Sequence, residues 1–158
     1  MEMRRDEQEV KTIEEIYDIL KRCDTCRLGL NSEGEAPYVI PMTFGCTLEN
    51  GVITVYFHSA PAGRKREILK KDPRVCVEAD LYYQVKHTEG GGITACYESV
   101  IGAGVAEQIE DKEGKVAAFK IMLEHYKESG FPASSCKGLP NCDVFKVVLT
   151  DVSGKHNL

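Results

Sequence analysis

The segment Val55-Tyr-Phe-His-Ser-Ala-Pro-Ala-Gly-Arg-Lys-Arg66 gathers a histidine, a serine, a glycine and three consecutive cations where a β-rich run gives way to a helical one. A strand ending directly at a helix start leaves free backbone N–H groups at the positive end of the helix dipole, and an Arg or Lys beside them adds charge-assisted hydrogen bonds to a phosphate. A cationic run alone also suits a solvated helix face, continued here by Lys70, Lys71 and Arg74. The His58-Ser59-x-x-x-Gly63 lead-in favours a phosphate site. His58 can meet a bound group with its imidazole or satisfy a local backbone carbonyl.

The cysteines are the second chemical feature. There are seven, an odd count without a secretory leader, which predicts reduced thiols rather than a disulfide framework. Cys23-Asp-Thr-Cys26 has metal or redox spacing, and Cys136 with Cys142 could complete a four-cysteine zinc or iron–sulfur site if the segments met. The second pair is spaced more loosely than such sites use, so unligated thiols are the leading expectation and no metal is assigned. Cys46, Cys76 and Cys96 fall in strand patterns and read as small buried apolar residues. Gly90-Gly91-Gly92 is no dinucleotide fingerprint, lacking both the G-x-G-x-x-G order and a βαβ context. Tyr82 and Tyr83 are expected to pack in the core or at a dimer interface rather than cover a ligand. His125 is read as a favourable cation at a helix end, and His87 as a loop residue.

Several elements must position these groups. Thr12-Ile-Glu-Glu15 has the form of a capping box, and Ile13, Ile16, Tyr17 and Leu20 recur at helical spacing, predicting a helix over 12–22. Runs at 27–30, 37–44 and 52–57 read as an antiparallel meander, with Pro41 demanding an edge or bulge. A short helix follows from about Pro61 to Lys71. Strands are expected over 75–83 and 95–109, separated by a turn or flexible loop at 84–94. Asp111 can cap a helix to about Tyr126 with Val116, Phe119, Ile121, Met122 and Leu123 on its apolar side. A loop spans 127–141, and a final strand runs over 143–152. Six strands with inserted helices predict an antiparallel sheet closed into a barrel.

Composition bounds the function. The 158 residues are 42% hydrophobic and 28% charged, usage that suits one globular domain over 1–158. A net charge of -5, with 20 Lys and Arg against 25 Asp and Glu, argues against a general nucleic-acid binder. No apolar run approaches the roughly 20 residues of a membrane span, and the charged Met1–Glu9 stretch is unlike a signal peptide, so no membrane partner and a cytoplasmic location are expected.

The chain resembles the flavin-binding split barrels related to pyridoxamine 5'-phosphate oxidase, and within them the Nim-type 5-nitroimidazole reductases. The resemblance rests on Arg27-Leu-Gly-Leu, Pro37-Tyr-Val-Ile-Pro-Met-Thr-Phe-Gly45, Tyr56-Phe-His-Ser-Ala-x-x-Gly-Arg-Lys65, Asp72-Pro-Arg-Val-Cys-Val, Tyr97-Glu-Ser-Val-Ile-Gly-Ala-Gly104 and Ser153-Gly-Lys155, in the family's order. It implies a six-stranded, FMN-binding split barrel, with a barrel over 26–109 between the first helix and a helix over 111–126. It also implies a homodimer with FMN at the interface. In that picture Pro41, Met42, Thr43 and Phe44 line the isoalloxazine ring, while His58, Ser59, Gly63, Arg64 and Lys65 hold the phosphate. His58 also serves at the catalytic edge, and Tyr97, Glu98 and Ser99 approach the flavin from the other subunit. The implied activity is FMN-dependent reduction of a nitroimidazole or another small electron-poor acceptor, with no protein nucleophile. A flavin or haem module without turnover is the alternative, and pyridoxamine phosphate oxidation fits less well.

Overall fold

A computed structural model describes residues 5–158. Its first strand, β1 (Glu9–Val10), leads into α1 (Ile13–Arg22). The predicted capping box forms: the Thr12 hydroxyl accepts the Glu15 N–H at 3.3 Å, and the Glu15 carboxylate accepts the Thr12 N–H at 3.2 Å. Helical periodicity then turns Ile16, Ile19 and Leu20 into the core.

The rest of the chain builds one antiparallel sheet from β2 (Cys26–Leu30), β3 (Tyr38–Met42), β4 (Gly45–Glu49), β5 (Val52–Ser59), β6 (Arg74–His87), β7 (Ile93–Ile109) and β8 (Asp143–Asn157). The hydrogen-bonded order is β3-β2-β6-β7-β8-β5-β4, with β1 alongside β8. The sheet therefore has eight strands rather than six. The two extra ones are β1 and β4, the latter separated from β3 by the two residues Thr43 and Phe44. The edge strands β3 and β4 are thus joined by chain but not by a ladder, which leaves a seam in the barrel. Pro41, lacking an N–H, lies in edge strand β3 opposite Arg27.

Strands β6, β7 and β8 are longer than expected. The 84–94 stretch is mostly strand, and only Thr88–Gly92 turns, with Gly90 and Gly91 at φ of 93° and 85° and a Thr88 N–H to Gly92 carbonyl bond of 2.8 Å. Strand β8 continues past Val152 because β7 offers it partners as far as Tyr97↔Asn157. Three helices complete the fold: α1, α2 (Arg64–Lys71) and α3 (Lys112–His125). Two short 3-10 turns, Ala133–Ser135 and Leu139–Asn141, interrupt the predicted loop.

The core fills the barrel with Leu28, Leu30, Val55, Val77, Val100 and Val147, and Phe57 stacks on Phe145 at 5.3 Å. A second cluster of Ala118, Met122, Leu139 and Val144 lies under α3. That helix packs tightly: a Cβ on Gly45 would lie 2.8 Å from the Met122 backbone, so glycine is what lets α3 reach β4. No described helix is long and apolar enough to cross a membrane.

Candidate functional site

The site grows from the end of β5. Alternation buries Phe57 and Ser59 and leaves His58 half-buried on the opposite face. The chain then turns through Ala60–Gly63 into α2, which starts later than the predicted Pro61. Gly63 sits at φ 114°, a conformation other residues rarely adopt, and supplies no side chain to cap the helix. The first-turn N–H groups of α2 therefore have no side-chain acceptor.

The three consecutive cations have three different fates. Arg64 pairs with Glu35 at 2.6 Å and covers the Tyr38 ring at 4.7 Å. Arg66 turns inward: its Nε lies 2.6 Å from Asp143 Oδ2, with the N–H not aimed along the contact, and its Nη1 donates to Gln108 Oε1 at 2.7 Å. Gln108 in turn donates to Asp143 Oδ1 at 3.0 Å. Lys65 alone has no carboxylate partner among the described residues. Its Nζ lies 3.1 Å from Met42 Sδ and 6.0 Å above the Phe57 ring, and burial pushes its pKa down.

The Lys65–Met42 contact brings α2 to the end of β3, so the predicted 41–44 and 58–65 segments do meet. Pro41 and Thr43 are exposed, whereas Met42 and Phe44 point into the core. The Phe44 N–H, at the seam, donates to Tyr126 Oη at 3.1 Å, and Tyr126 Oη donates to the Asp24 carbonyl at 2.8 Å. His125 joins the same corner, with Nε2 2.8 Å from the Cys23 carbonyl and its ring 4.4 Å from Phe44. His125 is thus also a packing joint between α3 and the seam. Tyr126→Phe should leave the Phe44 N–H and the Asp24 carbonyl without this partner and cost about 1–2 kcal/mol, measured by urea unfolding.

The Tyr97-Glu98-Ser99 segment lies elsewhere in the chain. Ser59 pairs with Asp143, and Tyr97 pairs with Asn157 fourteen positions further along β8. That separation is roughly 45 Å of extended strand. The three residues do not share one face either: Tyr97 and Ser99 point outward, with Lys155 Nζ 5.9 Å from the Tyr97 ring. Glu98 is buried, held by Arg22 at 2.5 Å and by the Tyr83 hydroxyl, and the Arg22 hydrogen bond holds its carboxyl below the usual range. Glu98 thus anchors the end of α1 and is not free to face a ligand beside Tyr97. Tyr82 is 63% exposed and Tyr83 45%, so of the two packing sites expected for them the core of this chain is excluded.

Cys23, Cys26 and Cys46 are buried, and burial pushes their thiols up to about 12, leaving them poor nucleophiles at neutral pH. Cys23 and Cys26 belong to the barrel core and Cys136 packs on the cluster under α3, so Cys136 lies in a different cluster from the first pair. Among the described residues, no three His, Cys, Asp or Glu side chains group as metal ligands would. Cys96 is buried as expected, but Cys76 is exposed, because Val75 and Val77 take the inward positions of β6.

A model of the pyridoxamine 5'-phosphate oxidase family matches residues 12–156. The chain belongs to that family. Among solved structures, a Bacteroides thetaiotaomicron protein provisionally named for 5-nitroimidazole antibiotic resistance is 33% identical, with 93% of this chain and 85% of that one covered at a TM-score of 0.78. This similarity supports the Nim-type branch of the oxidase family. A flavocytochrome from Azotobacter vinelandii (20% identity, 99% and 72% covered, TM-score 0.79) and an FAD-binding protein from Mesorhizobium loti (21%, 96% and 98%, 0.65) share the fold. No curated protein matches the chain.

Sequence reasoning missed the wall that α3 adds to this corner. Phe119, Met122, Leu123 and Tyr126 stand at i, i+3, i+4 and i+7, and with Thr43 and His58 they enclose a notch of about 160 Å³. The helical spacing and the β5 run were both visible; their juxtaposition was not. His58 meets Phe119 edge-on at 6.1 Å, and its Nδ1 is buried without a hydrogen-bond partner. Burial and the nearby Lys65 charge lower its pKa from 6.5. Folding therefore resists His58 protonation, so its contribution to stability is present above about pH 6.5 and is lost as pH falls and the unfolded chain binds the proton. His58→Leu should flatten that part of the pH dependence, read as the difference in urea midpoint between about pH 7.5 and pH 5.5.

Proposed function

We propose that the protein is an FMN-dependent oxidoreductase that reduces a small, electron-poor aromatic acceptor such as a nitroimidazole. The observation that carries this reading is Lys65, the unpaired cation at an uncapped helix start, placed beside the seam strand by its contact with Met42. The residues fit a phosphorylated planar cofactor. Gly63 keeps the approach to the α2 N–H groups open, since nothing lies within 4 Å of where its Cβ would be. Lys65 and those N–H groups would hold the phosphate, with Ser59 and Arg64 beside them. Thr43 and the exposed Pro41 would take the ring at the seam over the buried Met42, with the Phe44 N–H fixed by Tyr126.

The flavin, when bound, supplies hydride or electron transfer to the acceptor. This chain would bind and orient it, the helix start holding the phosphate and the seam the ring. His58, held neutral by burial, would offer one ring nitrogen to the acceptor beside the flavin. Tyr97 and Ser99 stand too far along β8 to touch the same cofactor, so a second copy would have to supply them to a shared interface.

Absorption of the freshly purified protein, followed by chromatography of the released chromophore, tests this reading. Bands at about 375 and about 450 nm with FMN at about one per chain support it, and NADH-driven reduction of a nitroimidazole should follow. A Soret band would redirect the assignment to haem. A colourless protein that takes up no added FMN would overturn it.

A further inference from the structure

We infer that the notch between β5 and α3 is the acceptor pocket, that it is cut for a single planar ring, and that Phe119 and Leu123 set this limit. The inference rests on the flavin reading above, because it names where that reaction's substrate sits.

Three observations carry it. First, the volume of about 160 Å³ is close to the roughly 150 Å³ of an apolar cavity known to accept one benzene ring. Phe119, Met122 and Leu123 supply the apolar surface that an aromatic ring needs.

Second, the notch is held open. Helix α3 cannot close onto β4, since Gly45 already meets the Met122 backbone with no Cβ between them. At the other end, Tyr126 is fastened to the Phe44 N–H and the Asp24 carbonyl. The remaining space between Phe119, Leu123 and His58 is therefore preformed.

Third, the wall carries one unspent polar atom. His58 Nδ1 is buried without a partner, and such an atom costs free energy until something pairs with it. Nδ1 has almost no accessible surface, so a ring nitrogen or substituent pairs with it once the imidazole turns toward the notch. Thr43 links this pocket to the seam, because it lines the notch and follows Met42, the residue that Lys65 touches.

The test titrates 2-methyl-5-nitroimidazole and the two-ring 6-nitroquinoline by calorimetry into FMN-loaded protein, with FMN affinity measured separately by fluorescence quenching. Leu123→Trp should fill the notch and weaken the single-ring ligand by about tenfold, while Phe119→Ala should tighten the two-ring ligand by about tenfold. Both variants should keep FMN affinity within about twofold of the parent. Variants that retain FMN and bind both ligands as the parent does would overturn the pocket while leaving the flavin reading intact. If the parent takes up no FMN, the flavin reading fails, and the same titrations on the flavin-free protein decide the pocket alone. A readout on the parent guards against variants that do not fold. Nitrogen NMR of His58 should show a ligand-induced shift at Nδ1, and an unchanged resonance at saturating ligand would overturn the inference.

Discussion

Replacing Lys65 with alanine is expected to weaken FMN binding by about tenfold to a hundredfold, the range for losing a charge-assisted contact worth roughly 1.5–3 kcal/mol. The size follows from what Lys65 lacks. Arg64 already spends its charge on Glu35 and its plane on Tyr38, and Arg66 is turned into the fold by Asp143 and Gln108. Lys65 has only the Met42 sulfur and the Phe57 face, neither of which neutralises it. Its lowered pKa has the same origin: half-burial penalises the ammonium, and no carboxylate offsets the penalty. A phosphate would remove that penalty. Riboflavin, which carries no phosphate, provides the control: Lys65→Ala should bind it as the parent protein does. Arg64→Ala should cost less than Lys65→Ala, because freeing the exposed Glu35 leaves no buried charge behind. Equal losses of FMN and riboflavin affinity would show that Lys65 shapes the ring site and does not hold the phosphate.

The contrast among these three neighbours marks how far the sequence could be read. The arrangement of 58–65 was legible because it is local: a strand end, a glycine and a helix start occur within eight residues. The seam was half legible. Pro41 announced an edge in β3, and the strand that follows at Gly45 was missed although its hairpin with β5 closes through the local Asn50-Gly51 turn; only its contact with Met122 is made at a distance. Glu98 could have been separated from Tyr97 and Ser99 by the two-residue period of a strand, which sends neighbours to opposite faces. The same period places Cys76 outside between inward Val75 and Val77. Arg22 as the partner of Glu98, Tyr126 as the clasp on Phe44, and Asp143 as the sink for Arg66 were not legible. Each joins segments more than 70 residues apart, and only the strand order brings them together.

Arg66→Met is expected to destabilise the fold by about 3 kcal/mol, with little direct effect on the phosphate site. Arg66 and Asp143 have side-chain exposures of 20% and 9%, so removing the guanidinium leaves a nearly buried carboxylate beside Gln108 alone. Breaking one half of a buried pair typically costs about 3–5 kcal/mol, and the residual exposure of Arg66 places this case at the lower end. With a urea slope of roughly 2 kcal/mol/M, the unfolding midpoint should fall by about 1.5 M. The double variant Arg66→Met with Asp143→Leu should recover most of the loss, because it removes the stranded charge along with its partner. The pair also has a positional consequence. Asp143 opens β8 opposite Ser59, so its link to Arg66 ties the third residue after Gly63 to the end of β5. The double variant should therefore be stable yet hold the start of α2 less firmly, and FMN should bind it more weakly than the parent while riboflavin is unaffected. A single variant that loses less than about 1 kcal/mol would mean that the Asp143 carboxylate finds water or a proton without Arg66, and that α2 is anchored instead by the burial of Ile68 and Leu69.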